Sequence, residues 1–294
     1  VRLFRRNARL TIYRVRSAAF FDLLPNGIEI TDLQMEFTIT KKLGKAPDTC
    51  TIVITNLAET TRGELEKHPL NLHLDVGYDG EYRRIFTGDL RWGSSIKQGP
   101  DWKTTLQIAD GARAFREAQV SKPFKAGTKV RTALTECARS MGLALPRDLA
   151  VSTELEEQFA AGITLDGAAH DELTRLLAPY GYEWTIQDGT LQAYKDDQAR
   201  VGEALVISEA NGMIETPVFA PPSESARKSK SVRRSTIRSP RLTIRNLLYP
   251  QIVPGVKLQV DSVTTRGIYK AIQVTHVGDT HGEDWTTTVE AKPL

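Results

Sequence analysis

The chain has 294 residues, of which 40% are apolar and 26% charged, an ordinary globular composition with length for two or three compact domains. Its two cysteines, Cys50 and Cys137, lie far apart without a Cys-x-x-Cys, which argues against a disulfide framework or a thiolate zinc site. No apolar run approaches the ~20 residues that span a bilayer, and the basic start VRLFRRNARL leads into alternation and not a signal core, so a soluble cytoplasmic product without stable membrane insertion is expected.

The first part alternates with period two. RLTIYRV (Arg9 to Val15), QMEFTIT (Gln34 to Thr40), CTIVITN (Cys50 to Asn56) and NLHLDVG (Asn71 to Gly77) read as strands, followed by YRRIFTGDLRW and WKTTLQIA. One short helix is expected around Ala58 to Lys67, with Thr61 and Glu64 at capping-box spacing before Pro69. Short strands with one helix predict a small barrel or sandwich.

The period then changes. Val130, Leu134, Cys137 and Met141 recur on one helical face that Gly142 ends, and a second helix fits Ala168 to Tyr180 with Leu173, Leu176 and Leu177 inward. YEWTIQDGTLQAY predicts a hairpin about Asp188-Gly189, a dipeptide suited to a type I′ turn. Strands return in ALVISEA, VKLQVDSV, IYKAIQVTHV and WTTTVEA. The resulting fold class is mainly β with an α+β insertion: a β domain over 1–120, a small α/β module over 121–200, and a second β domain over 201–294 with a basic loop at 217–241.

Two segments match each other at a constant offset of 183. Ile85, Gly99, Asp101, Trp102, Thr104 and Thr105 meet Ile268, Gly282, Asp284, Trp285, Thr287 and Thr288. Each copy reads as a hairpin whose turn precedes a Trp-bearing strand. The rival account is two hairpins that share turn chemistry by chance. Duplication would let one chain imitate two neighbouring subunits of a symmetric ring.

Catalytic and metal signatures are missing: the sequence lacks phosphate-binding, dinucleotide, zincin, nucleophile-elbow and EF-hand patterns. His170-Asp171-Glu172 reads as the solvated first turn of a helix. Asp279, His281, Glu283 and Asp284 read as a polar turn, because the first copy has Ile96, Gln98 and Pro100 opposite the first three. Glu154, Glu156 and Glu157 read as solvated, and Trp92, Trp102, Trp184 and Trp285 as sheet residues. No catalytic residue, metal or cofactor is expected.

The net charge of +3 is unevenly spread: Ser223–Arg245 carries eight basic residues and one acid. Arg227, Lys228, Lys230, Arg233, Arg234, Arg238 and Arg241 form a candidate partner contact through charge-assisted hydrogen bonds. No aromatic residues are interleaved, as a single-strand grip would need.

CTIVITNLAETTRGEL followed by LDVGYDGEYRRIFTGDLRW resembles the first domain of tailed-phage baseplate hub proteins, where a strand ending in Asn-Leu, a short helix and a GY-x-G…IF-x-G hairpin occur in that order. AGTKVRTALTECARSMGL and GAAHDELTRLLAPYGYEWTIQDGTLQAY look like the hub's inserted α/β domain, and GMIETPVF, LLYPQIVPGVKLQV and the final hairpin like its closing barrel. Such hubs are similar to the hub part of type VI secretion spikes. The resemblance implies a non-enzymatic virion protein, assembled in the host cytoplasm. It implies two tail-tube-like β-barrels per chain and a homotrimer forming a pseudo-sixfold ring at the tail tip. The implied neighbours are tail-tube protein, a spike or central fibre protein, other baseplate proteins and the tape-measure protein, with DNA passing through the lumen. Two other classes stay open: a cell-wall-binding or cell-wall-degrading component using Glu154, Glu156 or Glu157, and a nucleic-acid binder using the basic loop.

Overall fold

The computed structural model describes residues 5–14, 27–44, 47–65, 69–111, 117–146, 149, 151–195, 197–200, 202–220 and 240–294. In the first third the alternating segments become β1 (Arg6–Arg14), β2 (Ile28–Ile30), β3 (Met35–Lys42), β4 (Thr49–Thr55), β5 (Leu70–Tyr78), β6 (Glu81–Gln98) and β7 (Asp101–Ala109), with α1 (Glu59–Leu65) between β4 and β5. Alternation translates directly into facing: in β3, Met35, Phe37, Ile39 and Lys41 point inward and the residues between them outward. Thr61 lies inside α1, two residues past its start, so the expected capping box does not form. Instead Arg62 reaches back to the Leu57 carbonyl at 3.0 Å.

The last third supplies β12 (Leu205–Ser208), β13 (Val218–Phe219), β14 (Leu242–Leu247), β15 (Lys257–Asp261), β16 (Arg266–Asp279) and β17 (Trp285–Pro293). These strands and those of the first third form one 13-stranded sheet, in the order β13-β14-β17-β16-β3-β4-β7-β6-β5-β1-β2, with β15 on β16 and β12 on β15. Pairing is antiparallel except between β12 and β15. The seam is β3 on β16, where Thr40 faces Thr275 and Ile39 faces His276.

Between them lie β8 (Gln119–Phe124), α2 (Val130–Ser140), β9 (Ile163–Ala168), α3 (Ala169–Leu177), β10 (Tyr182–Gln187) and β11 (Thr190–Lys195). The β8–β9 pair adds two strands that sequence alternation did not reveal. The second helix is shorter than expected: α3 gives way to a 3-10 turn at Ala178–Tyr180, which contains Pro179, and Gly181 closes it at φ +71°. Asp188 and Gly189 adopt φ +52° and +73°, the paired positive angles that a type I′ hairpin requires.

Three cores result. One lies within the first β unit, one inside the middle module around Leu134, Leu173 and Trp184, and one in the last β unit around Ile244, Leu258 and Val274. Trp285 and Leu248 cross over, packing into the first core although the last segment carries them.

β6 changes partner partway along: it pairs with β5 up to Asp89, then with β7 from Asp89 onward. At the change-over, a Cβ on Gly88 would meet the backbone C and O of Ala109, each at 2.8 Å. Only glycine permits that approach, and Gly88→Ala is expected to cost about 1–3 kcal/mol by urea unfolding.

Candidate assembly interface

The two matching hairpins can be compared strand by strand. β6–β7 carries a bulge between Leu90 and Trp92, opposite Ile108 and Gln107. β16–β17 carries one between Ala271 and Gln273, opposite Ala291 and Glu290. On the outgoing strands these positions keep the 183-residue separation, so the bulge recurs at the same place. On the incoming strands the separation is 181, because the second turn is two residues longer. Ile85 and Ile268 therefore meet in the ungapped sequence match but not in register.

Turn chemistry differs as well. In the first hairpin the Asn56 side chain donates to Asp101 at 2.8 Å and accepts from the Trp102 amide at 3.0 Å, while Arg62 stacks on Trp102 at 4.2 Å. In the second, Asp279 accepts from the His281 amide at 2.8 Å and its own amide donates to the Asp284 carbonyl at 2.7 Å. Among the described residues, no three His, Cys, Asp or Glu side chains are grouped to hold a metal ion. Trp285 is buried, whereas Trp102 is half-buried.

Beyond Asp89, residues Leu90–Gln98 of β6 pair with β7 alone, so their other edge is open among the described residues. The bulge turns Trp92 outward: it is 51% exposed and Ile96 60% exposed. Sheet packing, expected for all four tryptophans, accounts for Trp184 and Trp285 but not for Trp92. On the last unit, Val206, Gln259 and Ile268 stand in register across three strands, and both apolar members are exposed. An open strand edge beside exposed apolar residues is a natural surface for another chain.

The other sequence candidates divide. Arg227, Lys228, Lys230, Arg233, Arg234 and Arg238 lie outside the described residues. Arg241 donates to Glu290 of β17 at 2.8 Å. Glu154 pairs with Lys195 at 2.6 Å, Glu156 with Lys129 and Arg131, and Glu157 accepts from the Tyr180 hydroxyl at 2.6 Å.

One buried polar cluster escaped sequence reading, because its members are scattered along the chain. The exposed Asp188–Gly189 tip of the β10–β11 hairpin lies against buried Lys41 and Asp110 of the first β unit. There both carboxylate oxygens of Asp188 stand 3.1 Å from Lys41 Nζ, and Lys41 is fully buried. The Gly189 amide donates to Asp110 at 3.1 Å, and Asp48 accepts from the Lys42 amide at 2.9 Å. Burial, opposed by the Lys42 amide and Lys41, pushes Asp48 up to about 8. Burial and the Asp188 charge push Asp110 up to about 7. Burial, reinforced by Lys41, lowers His276 to about 3.

The raised carboxyls stabilise the fold when protonated, and that contribution fades as pH rises from their ordinary range through 7–8. Neutral His276 stabilises above its ordinary range, and that contribution fades as pH falls from about 6.5 toward 3. Two carboxyls outweigh one imidazole between about 4 and 6.5, so urea midpoints measured against pH should peak near about 4 and decline on both sides, most steeply toward about 7–8.

The comparisons with known proteins agree with this architecture. The 43 kDa tail protein of prophage MuSo2 from Shewanella oneidensis superposes with a TM-score of 0.65 at 12% identity, covering 98% of this chain and 96% of that one. The tail protein from Neisseria meningitidis MC58 gives 0.59 at 13% identity, covering 97% and 96%. The E. coli c3393 protein is described as a type VI secretion system component with structural similarity to T4 bacteriophage tail proteins gp27 and gp5. It gives 0.61 at 12% identity, covering 97% and 76%. At such identities the likeness establishes the fold. No curated protein matches the chain in sequence. The family model described as baseplate hub gp41 matches residues 23–221. The chain thus belongs to the baseplate hub gp41 family and is a structural component of a phage tail baseplate.

Proposed function

We propose that three copies of this chain close into a pseudo-sixfold ring at the tail tip, each contributing two tube-like barrels. In this reading the first barrel is 1–120, the second 201–294, and the module over 121–200 stands between them. The observation that carries the proposal is the recurring bulged hairpin, set in two β units that share one sheet through β3 and β16. Two similar units in one chain match a sixfold tail tube on one side and a threefold spike or central fibre on the other. The ring would contact other baseplate proteins, meet the tape-measure protein and let DNA through its lumen, without catalysis by this chain.

The test is the native mass in solution by light scattering: three chains are expected, and a protein that stays monomeric at high concentration without binding tube or spike protein overturns the reading. Trp92→Ser with Ile96→Ser should lower trimer formation at least about tenfold. Because both side chains are exposed, the stability of the single chain should change by less than about 0.5 kcal/mol.

A further inference from the structure

Two open strand edges stand at opposite ends of a run of eight hydrogen-bonded strands, β13-β14-β17-β16-β3-β4-β7-β6. At one end β13 pairs with β14 alone among the described residues; at the other, Leu90–Gln98 of β6 pair with β7 alone. Exposed apolar side chains mark both: Val218 is 64% and Phe219 48% exposed on β13, facing the exposed Trp92 and Ile96 of β6 in kind. Midway along the run, β3 of the first unit pairs with β16 of the last, and this internal seam fixes what each open edge fits.

Because β17 repeats β7, the strands paired to them correspond as well. Ile52 of β4 faces Leu106, and Ile244 of β14 faces its counterpart Val289. One strand further out, Ile39 of β3 faces Cys50, and Phe219 of β13 faces Leu242, so Phe219 holds in the last unit the place of Ile39 in the first. On the other side of the repeated strand, Gly93 of β6 faces Leu106 and Val274 of β16 faces Val289, so Ser95 holds the place of His276. Across the internal seam Ile39 faces His276 and Thr38 faces Val277. We propose that β13 of one copy adds antiparallel to the β6 edge of the next, with Phe219 opposite Ser95 and Val218 opposite Ile96, repeating between chains the seam that β3 and β16 form within one.

Backbone alternation agrees with this register. The Ala220 amide donates to the Arg241 carbonyl beside β14 at 2.7 Å, so the Phe219 amide points to the open side. On β6, Gly99 and Pro100 form a two-residue turn that closes on Gln98 and Asp101, so Gln98, Ile96 and Ser94 bond to β7 while Lys97 and Ser95 present their amides to the open edge. Phe219 and Ser95 then exchange both backbone hydrogen bonds, and Val218 with Ile96 forms the closer, non-hydrogen-bonded pair. Pro217 has no N–H to offer on the same side, a feature that keeps such an edge short. The contact is head-to-tail, so each added copy leaves one edge of each kind free until a ring closes. The seam rests on the ring reading and gives it a register, while the number of copies depends on closure alone.

Cysteine pairs in the full chain test the register, since the native Cys50 and Cys137 are buried. Under mild oxidation, Val218→Cys with Ile96→Cys should give covalent dimers and trimers at least about tenfold more than Val218→Cys with Trp92→Cys, which is four residues out of register. Ala220→Cys with Ser94→Cys is a second in-register pair, used if the first disturbs the strand. Native mass by light scattering is read alongside. A mass of three chains without in-register cross-links, or equal cross-linking through Trp92→Cys, would overturn the seam and leave the ring standing. In-register cross-links that extend past three chains would support the seam and overturn the threefold closure. A chain that stays monomeric and cross-links through neither pair overturns both.

Discussion

Trp285→Ala is expected to destabilise the protein by about 3–5 kcal/mol in urea unfolding, the range for emptying a large buried aromatic site. Trp285 is 1% exposed and lies edge-on to Phe37 at 5.5 Å and to Tyr78 at 6.4 Å. Its neighbourhood ties the last segment to the first: the Leu248 amide donates to the Trp285 carbonyl at 2.9 Å, and the Tyr78 hydroxyl to the Leu248 carbonyl at 3.1 Å. Losing the ring removes both buried area and the plug between the two units. Its sequence counterpart, Trp102, stacks on Arg62 at the turn, and Trp102→Ala should cost only about 1 kcal/mol. Equal costs for the two tryptophans would falsify the assignment of Trp285 as the crossover between the first and last segments.

Lys41→Met is expected to cost about 3 kcal/mol near neutral pH, because it leaves the Asp188 carboxylate beside two acidic groups without their cation. Methionine matches the lysine stem in length, so the loss reports charge and not a cavity. Adding Asp188→Asn to Lys41→Met should restore part of the stability, with a coupling of about 1–3 kcal/mol in a double-mutant cycle. The cost of Lys41→Met should also grow as pH rises through 7–8, where Asp48 and Asp110 ionise. A pH-independent cost with no coupling to Asp188 would show that Lys41 acts only through its aliphatic stem.

Most elements were legible because local rules govern them. The alternation of β3, β4 and β5 set their facing before any partner strand was known. Asp188-Gly189 announced its turn, and the Val130-Leu134-Cys137-Met141 stripe its helix, because positive φ and 3.6-residue periodicity are short-range properties. Strands β8 and β9 were missed for the opposite reason: QVSKPF is mostly outward-facing with a proline, and ITLDGA is too short and polar to show a period. Strand β14 was passed over because its pattern stands next to the basic stretch. The ungapped match located the repeated hairpin correctly on β7 and β17, but it could not see that the second turn holds two more residues.

Sequence by itself thus determined the mainly β class, the inserted module, the repeated Asp-Trp-x-Thr-Thr strand and the order of segments that resembles a baseplate hub, since each depends on residues close together in the chain. Tertiary structure alone decided that β3 pairs with β16, that Trp285 serves the first core while Trp92 faces outward, and that buried Lys41, Asp48, Asp110 and His276 lie near the exposed Asp188. Those features join residues up to some 240 positions apart, and a strand pattern states which face is apolar without stating what will cover it.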